Sequence, residues 1–94
     1  MIVGYRDKRT KDFAEGERVK AFSGIERPAR LKLDRLEAAS VLSDLARLPG
    51  NRFEAIKRDR RGQYSIRIND QWRICFEWAK GSPGPANVEI VDYH

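Results

Sequence analysis

Histidine and cysteine are almost absent from this chain, with one of each, His94 and Cys75, in 94 residues. A lone thiol excludes an internal disulfide scaffold. One imidazole and one thiol fall short of a zinc ligand set, so neither a metal nor a cofactor is expected. No apolar run approaches the roughly 20 residues of a membrane span. The opening Met1-Ile2-Val3-Gly4-Tyr5-Arg6 also lacks the apolar core of a secretory leader. A cytoplasmic protein without a membrane partner is the expectation. Repeats and an inter-domain linker are missing too, and residues 1–94 are read as one domain with one core.

Positive charge is what the chain has in excess. Nineteen Lys and Arg against fourteen Asp and Glu leave a formal charge of +5 and a pI near 9.7. Residues 52–73 hold seven basic side chains and three acidic ones. Such a surface attracts polyanions, and nucleic acid is the leading class. A noncatalytic RNA- or ribosome-binding module and a protein-interaction domain meeting an acidic partner carry the same signature, and charge alone does not separate them.

Residues 52–78 organise the rest. Tyr64, Ile66 and Ile68 alternate with Ser65 and Arg67, and beyond Asn69-Asp70-Gln71 the alternation resumes with Trp72, Ile74, Phe76 and Trp78 against Arg73, Cys75 and Glu77. This pattern predicts two half-buried strands. A three-residue loop sets Ile68 opposite Trp72, Ile66 opposite Ile74, and Arg67 opposite Arg73. Like charges directly opposite one another destabilise a sheet, so a sheet that keeps them is expected to hold an anion.

Upstream, residues 2–5 read as a short starting strand and residues 7–15 as a first helix. Its Lys8 and Lys11 either touch a phosphate backbone or form a solvated face. Gly16 and Gly24 mark a loop or turn of helix over residues 16–26. A long helix is expected from Arg27 with Pro28 at its first position. Its apolar stripe is Leu33, Leu36 and Val41, with Ala29, Leu31 and Ala39 nearby, and Arg30, Lys32, Asp34, Arg35 and Glu37 cover the other side. Ser40 is read as the cap of a short helix over residues 41–48, with Leu42, Leu45 and Leu48 as core and Pro49-Gly50 as its stop. Each buried leucine contributes on the order of 1.5 to 3 kcal/mol. A first strand is expected over residues 52–57, a cationic loop at Arg58-Asp59-Arg60-Arg61-Gly62, an irregular segment over 79–87, and a last strand over 88–91. The fold class is therefore α+β, N-terminal helices packed on a mainly antiparallel sheet.

The chemistry-bearing residues converge on the two ends of this sheet. Arg73, Arg67, Lys57 and Arg60 border the polar face, and Arg58 and Arg61 add to it. Metal-free RNA cleavage needs a group to activate a 2'-hydroxyl, cations to hold the extra phosphate charge, and a proton for the leaving oxygen; His and Tyr move protons while Arg and Lys hold charge. His94 and Tyr93 supply the first kind if the last strand carries them to the Arg73 face, and otherwise His94 is a frayed terminus. Asp92 either orients His94 or is a solvated carboxylate. Glu54 either accepts a proton or neutralises Arg67 or Arg73. Tyr64, Trp72 and Trp78 share the apolar parity and are read as core.

Several segments together are similar to a known family: Ile2-Val3-Gly4-Tyr5-Arg6-Asp7-Lys8, Leu48-Pro49-Gly50-Asn51-Arg52, Ile56-Lys57-Arg58-Asp59-Arg60-Arg61-Gly62-Gln63-Tyr64-Ser65-Ile66, Asn69-Asp70-Gln71-Trp72-Arg73-Ile74-Cys75-Phe76, and Val88-Glu89-Ile90-Val91-Asp92-Tyr93-His94. In their order and spacing they resemble the HigB-like, or host-inhibition-of-growth, toxins of the RelE-like superfamily. The resemblance implies a compact RelE-like microbial RNase fold and a toxin that enters the ribosomal decoding site and cleaves messenger RNA without a metal. It also implies a cognate HigA-like helix-turn-helix antitoxin, and operator DNA bound through the toxin–antitoxin complex. The family's basic and terminal elements map onto Lys57, Arg60, Arg73, Asp92, Tyr93 and His94. Glu54 stands where some members carry a histidine, and Arg58 where glycine is common.

Overall fold

Asn69 closes the hairpin at the centre of the molecule. Its side-chain oxygen accepts the backbone N–H groups of Gln71 and Trp72, both at 2.8 Å, an arrangement that lets asparagine substitute for backbone at a tight turn. The computed structural model describes residues 1–56 and 62–92. In chain order it contains α1 (Lys8–Ala14), a 3-10 turn (Lys20–Phe22), α2 (Glu26–Ala38), α3 (Leu42–Ala46), a second 3-10 turn (Pro49–Asn51), β1 (Glu54–Ala55), β2 (Gln63–Arg67), β3 (Trp72–Glu77) and β4 (Ala86–Asp92).

The strands form one antiparallel sheet in the order β1-β2-β3-β4, and the α+β arrangement expected from the sequence is the one observed. Arg67 pairs with Arg73 and Ile66 with Ile74, while the Ile68 N–H donates to Trp72 C=O at 2.9 Å. The register is the one set by the three-residue loop. One extra residue on β4 shifts the pairing between Cys75 and Glu77. Asn87, at φ 50°, takes up this bulge.

Ile66, Ile74, Phe76, Val88 and Ile90 are fully buried on one face of the sheet, against Phe13, Phe22, Leu33, Leu36 and Leu45 of the helical layer. Phe22 joins the layers, meeting Phe13 edge-on at 5.4 Å and Trp72 at 5.7 Å. Tyr64, Trp72 and Trp78 pack at the rim of this core.

Local chemistry explains the helix ends. The Asp7 carboxylate accepts the Thr10 N–H and starts α1. Gly16, at φ 99°, reverses the chain so that the Glu17 N–H returns to Asp12 C=O at 2.9 Å. Helix α2 begins at Glu26, one residue earlier than expected, and Pro28 falls third in its first turn, where no intrahelical donor is needed. Ser40 does not cap α3. The Asp44 carboxylate instead reaches back to the N–H groups of Ser40 at 2.9 Å and Val41 at 3.3 Å.

Other expectations are corrected. Lys32, assigned to the solvated side of α2, is buried, whereas Leu31, Val41 and Leu48 are exposed. The first strand is reduced to Glu54–Ala55 because the 3-10 turn and a left-handed Arg52, at φ 44°, bring the chain in from the side. No strand forms over residues 2–5. Only Tyr5 bridges Val88 in parallel, and the segment is fixed by Val3 N–H to Pro85 C=O at 2.7 Å and by Val88 N–H to Gly4 C=O at 3.1 Å.

Candidate active site

Strand alternation sorts the polar face into rows. Glu54, Ser65, Cys75 and Glu89 stand in register across β1 to β4, and Arg67, Arg73 and Val91 form the next row. This face is not simply solvated, since Ser65, Cys75 and Gln63 are buried. The Arg73 guanidinium lies over Ser65 and the Gln63 amide reaches Glu77 at 3.3 Å, which shields the sheet beneath.

The paired arginines are opposite in backbone register but their heads diverge. Arg67 turns toward the hairpin tip and pairs with Asp70. Arg73 turns the other way, its Nε donating to Ser65 Oγ at 2.9 Å and its Nη2 to Arg52 C=O at 2.6 Å, with Glu54 Oε1 at 3.8 Å. This divergence removes the like-charge conflict. Asp70 is 97% exposed, and an ion pair that open to water is worth about 0 to 1 kcal/mol. The Arg73 side chain is only 11% exposed, and its bonds to Ser65 Oγ and the Arg52 carbonyl keep a positive charge fixed at the face.

That fixation depends on an unfavourable backbone. Arg52 occupies the left-handed region at φ 44° and ψ 55°, which costs a non-glycine residue about 1 kcal/mol or more. In this conformation its carbonyl meets Arg73. Sequence reasoning identified Arg73 but neither Ser65 nor the Arg52 carbonyl as its anchors. Ser65 was legible as the residue two places from Arg67 on the same face, within reach of a long side chain across the strand.

The remaining candidates are spread around this centre. Glu54 is 60% exposed and faces Arg73, the ion-pair option of its two readings. Asp92 pairs in register with Trp72, on the side of the sheet away from Arg73, and accepts from Gln71 Nε2 at 3.0 Å. Lys8 and Lys11 lie on α1, which caps the β4 edge through a bond from Ile90 N–H to Thr10 Oγ1 at 3.1 Å. Lys8 is tied to Asp12 at 2.7 Å, and this bond raises the lysine and lowers the carboxyl from their usual values. Lys57, Arg58, Arg60, Arg61, Tyr93 and His94 lie outside the described residues. One carboxylate on the Arg73 face was missed by sequence reasoning. Glu89, 18% exposed and 3.7 Å from Arg6, sits in the Ser65 row, a position given by its parity with Val91.

Among the described residues Asp12, Glu15 and Glu17 bring three carboxylates within 4.8 Å, at the end of α1 and away from Arg73. An apolar groove of about 210 Å³ lies in the helical layer between Arg35, Ala39, Leu45 and Leu48. No helix among the described residues is long and apolar enough to cross a membrane.

Three helices packed on a four-stranded antiparallel sheet are consistent with a RelE-like toxin, and residues 4–94 match the family model of the RelE-like toxin of type II toxin-antitoxin system HigB. The chain belongs to this family, and membership implies an antitoxin partner. It is similar to Toxin HigB-1 of Vibrio cholerae serotype O1, with 39% identity over 83 residues covering 86% of this chain and 87% of that protein. It is also similar to Endoribonuclease HigB of Proteus vulgaris, with 33% identity over 63 residues covering 65% of this chain and 66% of that protein.

Proposed function

We propose that the chain is an endoribonuclease that cleaves messenger RNA in the ribosomal decoding site without a metal, and so stops translation. The observation that carries this reading is the Arg73 guanidinium, pinned by Ser65 and the Arg52 carbonyl on the polar face of the sheet. A cation fixed before substrate arrives stabilises developing phosphate charge without reorganisation. The name of the Proteus vulgaris relative supports ribonuclease chemistry.

In the proposed reaction the ribose 2'-oxygen loses its proton and attacks the adjacent phosphorus. The bond to the 5'-oxygen breaks, that oxygen takes up a proton, and the products are a 2',3'-cyclic phosphate and a free 5'-hydroxyl. Arg73 holds the charge on the phosphorane oxygens. His94 and Tyr93 move the protons and Glu54 is the alternative acceptor, while Asp92, on the other side of the sheet from Arg73, bears on the reaction only by orienting His94. Lys57, Arg58, Arg60, Arg61 and Arg67 hold flanking phosphates, with Lys8 and Lys11 at the far edge. A HigA-like helix-turn-helix antitoxin neutralises the toxin, and their complex binds operator DNA.

The test is cleavage of messenger RNA on programmed ribosomes and as free RNA, with the new ends mapped. Arg73→Ala is expected to lower the cleavage rate by roughly a hundredfold to a thousandfold while melting with the parent. Unchanged cleavage by this variant refutes the assignment. Salt-sensitive binding with no new RNA ends establishes the noncatalytic binding module instead.

A further inference from the structure

We infer that Asn51 is a positioning residue for Arg73, acting through the backbone of Arg52; the inference rests on Arg73 being catalytic. Asn51 is fully buried, and each part of its amide is used. Its Oδ1 accepts from Lys32 Nζ at 3.0 Å and from Arg35 Nη1 at 3.0 Å. Its Nδ2 donates to Leu45 C=O at 3.1 Å, and its backbone N–H donates to Leu48 C=O at 3.0 Å. Two cations on one side and a carbonyl on the other demand an acceptor and a donor on separate atoms of one short side chain, which the asparagine amide supplies.

One residue therefore ties α2, α3 and the second 3-10 turn together, at the point where the chain leaves the helical layer for the sheet. The next residue is Arg52, held left-handed with its carbonyl 2.6 Å from Arg73 Nη2. Lys32 fixes the turn a second time, donating to Gly50 C=O at 2.8 Å. Without this knot nothing in the sequence favours a left-handed arginine, which returns to extended backbone and withdraws its carbonyl. Arg73 then keeps Ser65 but loses the carbonyl contact at Nη2 that helps set the plane of its guanidinium. Asn51 touches no substrate on this account.

The test combines steady-state cleavage on programmed ribosomes with side-chain NMR of the intact chain. Asn51→Ala is expected to lower kcat by roughly tenfold to a hundredfold with KM nearly unchanged, the size of effect produced when a catalytic group is misplaced by about 1 Å. In an Arg73→Ala background it is expected to cause no further loss, because both changes remove the same contribution. Exchange of the Arg73 Nη hydrogens, which bond the Arg52 carbonyl, is expected to accelerate, while that of the Arg30 Nη hydrogens, which bond Phe13 C=O far from this turn, stays as it was. Should the alanine variant not fold, Asn51→Asp keeps an oxygen facing Lys32 and Arg35 and replaces the donation to Leu45 by a carboxylate oxygen against that carbonyl. A smaller loss, again absent in the Arg73→Ala background, is expected from it. A folded Asn51 variant with parental kcat beside an inactive Arg73→Ala overturns the inference and leaves the ribonuclease reading standing. Losses that multiply in the double variant also overturn it. An active Arg73→Ala removes that reading and this inference together.

Discussion

Replacing Lys32 by methionine isolates what a buried ammonium does in this fold. The side chain is only 6% exposed, and methionine preserves its length and apolar stem while deleting the donors to Gly50 and Asn51. Hydrogen bonds from a charged donor are worth about 1.5 to 3 kcal/mol each, so the gross loss is about 3 to 6 kcal/mol. Two features reduce it. Asn51 Oδ1 keeps Arg35, and exposed Gly50 takes a water in place of the lysine. Relief from desolvating the charge offsets more, leaving a net destabilisation of about 1 to 3 kcal/mol. A chain of this size has about 5 to 14 kcal/mol in total, and each kcal/mol moves the melting temperature by about 4 to 8 °C.

The same variant predicts a pH signature. Burial, and after it the charges of Arg35 and Arg67, hold the Lys32 ammonium below its ordinary value of 10.5. Between the folded value and 10.5 the unfolded chain binds more protons than the folded one, so parental stability climbs as pH rises through that interval. Methionine has no such titration. Urea unfolding followed by circular dichroism at about pH 7 and about pH 10 is therefore expected to show a gap between the two proteins that widens with pH. Equal midpoints, or a gap that closes at the higher pH, refute the reasoning.

Two further outcomes concern stability elsewhere. Leu36→Ala empties a fully buried site under the sheet and is expected to cost about 2 to 5 kcal/mol in urea unfolding; RNA cleavage by the folded protein is expected to stay at the parental rate. The backbone N–H groups of Ser40 and Val41, followed by Arg47, hold the Asp44 carboxyl below its ordinary value of 3.8. Its contribution is present above the unfolded value and is lost as pH falls through the folded one. Asp44→Asn is therefore expected to unfold earlier than the parent near neutrality and to converge with it in acid, which a pH series of melting curves measures.

The hairpin was legible because two independent signals agreed. Alternation from Tyr64 to Trp78 and a three-residue turn headed by Asn69 each gave the same pairing, and both are local. Lys32 was misplaced for the opposite reason. Its partners Gly50 and Asn51 lie 18 and 19 residues away, and periodicity sees only that a lysine occupies a helix. The short β1 was overdrawn because composition does not reveal a left-handed arginine, which tertiary contacts impose on residue 52. Arg73 was visible as a cation on the polar face of the sheet. That its head would part from Arg67 and bind Ser65 depends on rotamer choice across a strand, which alternation does not encode. Asp92 was grouped with the site by sequence proximity, and its pairing with Trp72 sets it on the other side of the sheet.

The closure of the β4 edge has a consequence for the order in which the molecule assembles. Each strand pairs with its neighbour in the chain, so the sheet is built from short loops. The outer edge of β4 is different, since Thr10 must find Ile90 across 80 residues. Bringing such distant points together costs about 2.7 kcal/mol more chain entropy than closing a loop of about four residues. On these grounds the meander forms first and α1 docks last. During synthesis the first helix waits, its Thr10 hydroxyl unmatched, until β4, the strand whose Ile90 N–H donates to it, has emerged.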